Sequence, residues 1–404
     1  MKIAVLGTLA SSLVAFRGHL IEAMRKHGHE VHCGAADFDD ESRKALRAIG
    51  VASCQELPLR RTGTNPLHDG QAIFALIAWL EAVKPELLLA YTSKAVNYGG
   101  LAARLCGVRE FYPLISGLGY AFIDERDHRR ALLRSVVCRL YKLSLSRATV
   151  TLFQNVDDER EFRARGILRA GQQSLITHGS GVDLDYYAPA PLPPSSEPPA
   201  FLFIGRLLWE KGVGELITAA RILKRMNARV RIQLLGGLDP NPSSLSRQEL
   251  SKLQSDGTVE YLGAVKDVRP HIANSSAMVF PSYYREGTPR AVLEAMSMGR
   301  AIVTTDVPGC REAVIHGING LVVPARHPVA LAHSILRLTS RFALARMGRK
   351  SRELAEAKYD VNEVNEHILD ALKLRGRAPA AKYTAEREQA GLHVHGLRTR
   401  ITPA

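Results

Sequence analysis

Short apolar runs separated by longer amphipathic stretches recur along the chain, in two series. In the first, residues 3–6, 30–33, 87–90, 110–113 and 149–153 read as buried strands, each followed by a helical pattern. That alternation predicts a doubly wound parallel sheet. The helix after the first strand carries Arg17, Leu20, Ile21 and Met24, and Gly28 in Lys26-His27-Gly28-His29 is its C-terminal stop. The second series has strands at 201–204, 231–235, 259–262, 277–280 and 301–305. Between the two, residues 189–199 are rich in proline and serine and read as a linker or surface loop. The expected organisation is a domain over 1–185, a second over 186–355, a last helix within 356–375 packing back towards the first domain, and a basic, mobile tail over 376–404.

The stretch around which the second domain is organised runs from Tyr284 to Gly299. A glycine-bearing polar turn with Glu286 leads into an apolar helix with Glu294, between the strands at 277–280 and 301–305. In a parallel sheet such a loop lies at the carboxyl ends of the strands, where ligands bind, and the following helix offers unpaired amides to anions. By the same logic the loops at 7–12, 91–100 and 115–120 face the crevice of the first domain. No G-x-G-x-x-G stands after the first strand, and no acidic residue is placed for a dinucleotide ribose, which argues against NAD. For Gly117 and Gly119 the plain reading is a tight turn.

Composition narrows the class. A chain of 404 residues suits two domains, and 46% hydrophobic with 23% charged residues excludes collagen-like, disordered and coiled-coil classes. Five scattered cysteines supply neither a disulfide framework nor a zinc site, as expected of a reducing compartment. The apolar start is too short for a signal peptide and reads as a first strand, and no window approaches the roughly 20 apolar residues of a membrane span. The net charge of +14 favours an anionic partner: nucleic acid, a nucleotide or an acidic membrane surface. Residues 126–147 hold seven arginines and lysines interleaved with leucines and valines. They read as a basic amphipathic helix with Arg126, Arg130 and Arg134 on one face, either docking on anionic lipid or simply solvated.

Candidate chemistry clusters in the second domain. Gly205-Arg206 and Lys211-Gly212 put a guanidinium and an ammonium at a strand-to-helix junction, a charge set suited to a diphosphate. Glu286 can accept hydrogen bonds from sugar hydroxyls and Glu294 those of a ribose. No metal-ligand spacing, G-x-S-x-G or Walker pattern is present, so neither a metal nor a cofactor is expected.

With these residues in place, the chain resembles the glycosyltransferase family 4 enzymes. The motifs are Gly205-Arg206 with Lys211-Gly212, Tyr261-Leu262-Gly263 with Asp267-Val268, Glu286 and Glu294 eight apart, and Pro308-Gly309-Cys310-Arg311-Glu312 with Gly317-Ile318-Asn319-Gly320. In the first domain, Tyr91-Thr92-Ser93-Lys94, Gly117-Leu118-Gly119-Tyr120 and Phe153-Gln154-Asn155 look like the capsule, O-antigen and N-glycan assembly branch. The resemblance implies an α/β protein of GT-B architecture, two facing Rossmann-like domains with a cleft between them. It also implies a retaining, metal-independent transfer of a hexose or N-acetylhexosamine from a nucleotide sugar, by family tendency a uridine diphosphate sugar. Arg206 and Lys211 would neutralise the diphosphate and Glu286 would hold the donor sugar. Glu294 would bind ribose, with Gly205, Gly287, Thr288, Pro289 and Arg290 around the phosphates and Leu262 and Gly263 at the base. Thr8, Ser93, Gly117 and Gly119 would lie on the acceptor side.

Where much of the family has paired glycines and a histidine, this chain has Gly7-Thr8-Leu9-Ala10 and Ser116-Gly117-Leu118-Gly119, and no first-domain histidine is assigned a role. The branch commonly uses acceptors linked to undecaprenyl diphosphate. That implies a cytoplasmic enzyme held peripherally at the inner face of the membrane through residues 126–147, with no nucleic-acid partner. Two other readings stand: a sugar-nucleotide epimerase on the same architecture, which would need acid and base carboxylates around the sugar, and a non-catalytic basic protein binding membrane or nucleic acid.

Overall fold

The computed structural model describes residues 1–60, 65–123, 128–239, 241 and 243–375. The expected tail at 376–404 and Arg126 of the basic face lie outside them.

The first domain is a sheet of seven parallel strands in the order β3-β2-β1-β4-β5-β6-β7. They are β1 (Lys2–Leu9), β2 (Glu30–Ala36), β3 (Ser53–Glu56), β4 (Leu87–Tyr91), β5 (Glu110–Ile115), β6 (Thr151–Phe153) and β7 (Ser174–Ile176). The helices between them are α1 (Ala10–Lys26), α2 (Asp40–Ala48), α3 (Pro66–Val83), α4 (Ser93–Leu105), α5 (His128–Ser144) and α6 (Val156–Ala164). The second domain is a six-stranded parallel sheet, β10-β9-β8-β11-β12-β13. Its strands are β8 (Ala200–Ile204), β9 (Arg231–Leu235), β10 (Glu260–Tyr261), β11 (Ala277–Phe280), β12 (Ala301–Thr305) and β13 (Gly320–Val323). Helices α7 (Val213–Arg225), α8 (Arg247–Ser255), α9 (Arg269–Ala273), α10 (Arg290–Ser297), α11 (Pro328–Arg337) and α12 (Arg341–Lys358) cover it.

Both sheets are buried on two faces, and their strands are nearly continuous apolar runs, as parallel strands must be. One core of the first domain lies under α3, α4 and α5. The other lies under α1 and is closed by α13 (Val361–Ala371), whose Val364, Ile368 and Leu369 enter it from the far end of the chain. The crossing back is pinned at Val182, whose amide donates to Tyr359 O at 2.8 Å while Val361 donates to Val182 O at 3.0 Å.

The strand order decides where ligands go. In the first sheet the winding reverses between β1 and β4, in the second between β8 and β11. Each reversal opens a crevice at the carboxyl ends of those two strands. Residues following all four strand ends line a single cavity between the domains.

Several expectations need correction. Residues 7–12 form no loop: β1 runs on to Leu9, which pairs with Ala36 after a register shift, and α1 starts at Ala10. Residues 91–100 are also not a loop, because α4 begins at Ser93 and its 95–100 stretch is buried against the sheet. Three strands were missed. In β3, Ser53-Cys54-Gln55-Glu56 is polar because it is an edge strand, β7 has three residues, and β13 follows directly on the Gly317–Gly320 turn.

Candidate active site

The second-domain wall is built by two neighbouring strand ends. After β8, Gly205-Arg206 turns outward and a 3-10 turn at Trp209–Lys211 delivers the lysine. After β11, the loop to Pro289 delivers Glu286. Lys211 Nζ donates a short hydrogen bond to Glu286 Oε1, the same oxygen that accepts from Ser282 Oγ at 3.1 Å. Both side chains are largely buried, at 14% and 13% exposure, so this is a desolvated ion pair. Glu286 Oε2 accepts no hydrogen bond among the described residues. Arg206 Nη1 donates to Asp239 Oδ2 at 2.8 Å and lies on the rim.

Glu294 is placed differently from its expected role. It lies one helical turn behind Arg290, inside the protein, accepting from Arg290 Nε at 2.8 Å and Tyr187 Oη at 2.9 Å on Oε1. Burial raises its pKa above the ordinary carboxylate range, against the pull of Arg290. Arg290, not Glu294, forms the cavity wall. Leu262 and Gly263 sit beyond it, with the Leu262 amide donating to Leu234 O at 2.9 Å and Gly263 O accepting from Gly236 N at 2.8 Å.

The first-domain wall is Ser12, Phe16, Arg17, Tyr91, Thr92, Ser116, Gln154 and Ser180. Of the expected acceptor residues, Thr8 is buried in β1 with its hydroxyl bonded to that of Thr92, and Ser93 is an exposed residue of the first turn of α4. Neither reaches the cavity lining. Gly117 and Gly119 face the other domain: the Gly119 amide donates to Arg285 O at 3.1 Å, and a Cβ on Gly117, at φ +104°, would stand 2.5 Å from Gly287 N.

These two glycines belong to a seam that holds the domains together next to the cavity. Thr288 donates from its amide to Gln154 Oε1 and from its hydroxyl to Gln154 O, both at 3.2 Å. Arg285 Nη2 reaches Asp158 Oδ1 at 3.1 Å, and Arg311 pairs with Asp157. Asp158 is fully buried, which pushes its pKa up to about 6 despite Arg285. In this arrangement the Thr288 amide is committed to Gln154 rather than open to a phosphate. The seam had one sequence signal, the Phe153-Gln154-Asn155 motif. Arg17 had another: it interrupts the apolar stripe of α1 formed by Leu13, Leu20 and Met24. Among the described residues no group of three or more His, Cys, Asp or Glu side chains could hold a metal ion.

Two parallel-sheet domains enclosing an anion-compatible cavity at facing switch points define the GT-B architecture. Two family models match, glycosyl transferase 4-like over residues 2–155 and glycosyl transferases group 1 over 198–341, one on each domain. The chain belongs to the family 4 glycosyltransferases. It is 29% identical over 91% of its length, and 97% of the relative's, to N,N'-diacetylbacillosaminyl-diphospho-undecaprenol alpha-1,3-N-acetylgalactosaminyltransferase from Campylobacter jejuni. It is 22% identical to the capsular polysaccharide biosynthesis glycosyltransferase CapM of Staphylococcus aureus, over 91% of this chain and 95% of that one. Among solved structures, Anabaena HepE in complex with UDP-glucose shares the fold at a TM-score of 0.72 and 19% identity, covering 92% and 99% of the two chains.

Proposed function

We propose that this glycosyltransferase moves a hexose or N-acetylhexosamine from a nucleotide sugar, a uridine diphosphate sugar, to a lipid-linked glycan acceptor with retention at the anomeric carbon. The observation that carries the reading is the desolvated Lys211–Glu286 pair in the interdomain cavity, with Arg206 on its rim. A diphosphate set against Lys211 and Arg206 would be stabilised as it departs, in a site where low local dielectric strengthens each charge contact. Glu286 Oε2 would orient the donor sugar through its hydroxyls. Retention needs the acceptor to attack on the face the diphosphate leaves. A departing phosphate oxygen is suited to take the acceptor proton there, so the reaction calls for no protein base and no metal.

The lipid-linked acceptor is supported by the Campylobacter jejuni relative, whose name specifies a diphospho-undecaprenol acceptor. A membrane-facing surface is supported by the outward sides of α3, α4 and α5, though not by the face expected from sequence. Arg134 is buried, with Nη1 donating to Ala121 O, and Arg130 packs over the Tyr120 ring. What α5 exposes is an apolar stripe of Leu132, Val136 and Leu143 together with Arg139 and Lys142, while α4 exposes Leu105 and α3 exposes Phe74. No described helix is long and apolar enough to cross a membrane. The proposed place is peripheral, at the inner face of the cytoplasmic membrane.

The deciding experiment incubates the protein with a panel of nucleotide sugars and follows nucleoside diphosphate release with and without lipid-linked acceptor. Release that depends on acceptor is expected, with uridine diphosphate sugars preferred and with chelators without effect. Conversion of the donor to an epimer in the absence of acceptor would overturn the reading.

A further inference from the structure

The mechanism above leaves two cations of the cavity without a role, Arg290 and Arg17, and only Arg290 has a carboxylate partner. Arg17 sits on the buried face of α1, 2% exposed, and lines the interdomain cavity. Its guanidinium carbon lies 5.0 Å from the Tyr91 ring centroid, and no described residue gives it a hydrogen bond or an ion pair. Nε is a buried donor without a partner. Burying an arginine this far without a carboxylate is costly, because no group of the protein offsets the hydration that Nε has lost. Burial lowers its pKa to about 10, with Arg290 adding to the effect, so it remains a cation at neutral pH.

The other cations on the cavity wall differ in kind. Arg206 is paired with Asp239, Lys211 with Glu286 and Arg290 with Glu294. Their charges are already answered within the protein. Arg17 alone among these four carries an unanswered positive charge, and it reaches the cavity from the opposite domain.

We propose that Arg17 is an anion-binding residue, which takes a phosphate group of a ligand seated in the interdomain cavity. The inference rests on reading that cavity as the substrate site. Two ligands bring the required chemistry: the diphosphate of the donor and a phosphate on the acceptor. A guanidinium stacked on a tyrosine is fixed in orientation, so its donors are set out before the ligand arrives. The cost of burying it unpaired is then returned when the phosphate supplies the missing partner.

The test measures binding of inorganic pyrophosphate and of uridine diphosphate to the full-length protein, to Arg17→Met and to Arg17→Lys, by calorimetry alongside thermal melting. Arg17→Met is expected to bind pyrophosphate at least about tenfold more weakly, the scale of a lost charge-assisted hydrogen bond, and Arg17→Lys to recover part of that. The melting temperature of ligand-free Arg17→Met should equal or exceed that of the native chain, since a buried unpaired charge has been removed. A parallel loss of uridine diphosphate affinity identifies the donor as the source of the phosphate. Retained uridine diphosphate affinity identifies the acceptor. Equal pyrophosphate affinity in the native chain and Arg17→Met, or no binding by the native chain at millimolar pyrophosphate, overturns the proposal. Because binding is read without turnover, failure of the transfer assay with pyrophosphate binding intact would sink the transferase reading and leave the anion site standing.

Discussion

At the residue scale, Lys211 and Glu286 are coupled by their burial. Removing one leaves the other charged and desolvated, at a cost of about 3–5 kcal/mol for a buried pair. Lys211→Met or Glu286→Gln alone should therefore lower the melting temperature, and the double variant should recover most of the loss. Activity should not follow stability. If Lys211 stabilises the departing diphosphate, Lys211→Met costs roughly 10²–10³ in kcat, and the double variant stays as inactive. Recovery of both together would show that the pair only supports the fold. Glu294 gives a prediction with pH. Its pKa is raised in the folded protein, so the fold holds a proton there more tightly than the unfolded chain does. Its contribution is then most favourable in acid and falls as pH rises from the ordinary carboxylate value through the raised folded one. Glu294→Gln cannot ionise but also leaves Arg290 without its carboxylate, so the prediction is a trend with pH and not a difference at one pH. Melting curves from about pH 4.5 to 7.5 should show the native chain losing stability relative to the variant as pH rises.

At the scale of elements, the donor loop is shaped as much by the glycines facing it as by its own sequence. Gly309 lies at φ +80°, and a Cβ there would come within 1.7 Å of Gly287 O. Gly117 makes the equivalent approach from the other domain. Neither neighbour can yield, because both are backbone. Gly309→Ala should displace the loop that carries Glu286 and lower kcat/KM by 10²-fold or more with both domain cores intact, a distance-sensitive loss of positioning. Gly117→Ala should instead open the seam, seen as a larger radius of gyration in solution scattering and weaker donor binding. An unchanged scattering profile would show that the seam tolerates the methyl group. These elements also show what the sequence made legible. Central strands such as β4 and β12 announced themselves because burial on both faces demands unbroken apolar runs. Edge strand β3 did not, since one side of it meets water. The arginine pattern of α5 misled for a related reason. A four-residue repeat fixes that Arg130 and Arg134 share a face, but not which face packs inward, and here the turn at residues 120–122 lies against theirs. The cavity's second-domain residues were readable as local motifs. Arg17 and Gln154 left a local signal, a break in an apolar stripe and a short motif, but not their role, because what they do depends on a domain that is distant in sequence.

At the scale of the whole molecule, the proposed membrane docking draws on a charge of +14 and on an apolar stripe on α5. Charge alone would bring the protein to any polyanion, and apolar side chains alone would favour aggregation. Leu132 is 71% exposed and Phe74 is 76% exposed, and arginine and lysine accompany the leucines and valine along α5. That combination fits the boundary between lipid headgroups and acyl chains, where side chains insert and cations meet phosphate. The two contributions separate experimentally. Replacing Arg139 and Lys142 by alanine removes two charges worth about 1 kcal/mol each near an anionic surface, so affinity for vesicles containing phosphatidylglycerol should fall on the order of 30-fold. Salt should weaken the native chain in the same way, and the double variant less so. Leu132→Ser should weaken binding even at high salt, where the electrostatic part is screened. Transfer to a short, water-soluble acceptor should be unchanged in all of these variants, because none of the substituted residues lines the cavity. Equal vesicle binding by the native chain and both kinds of variant would remove this face as the docking surface, and with it the physical reason for placing the enzyme at the membrane.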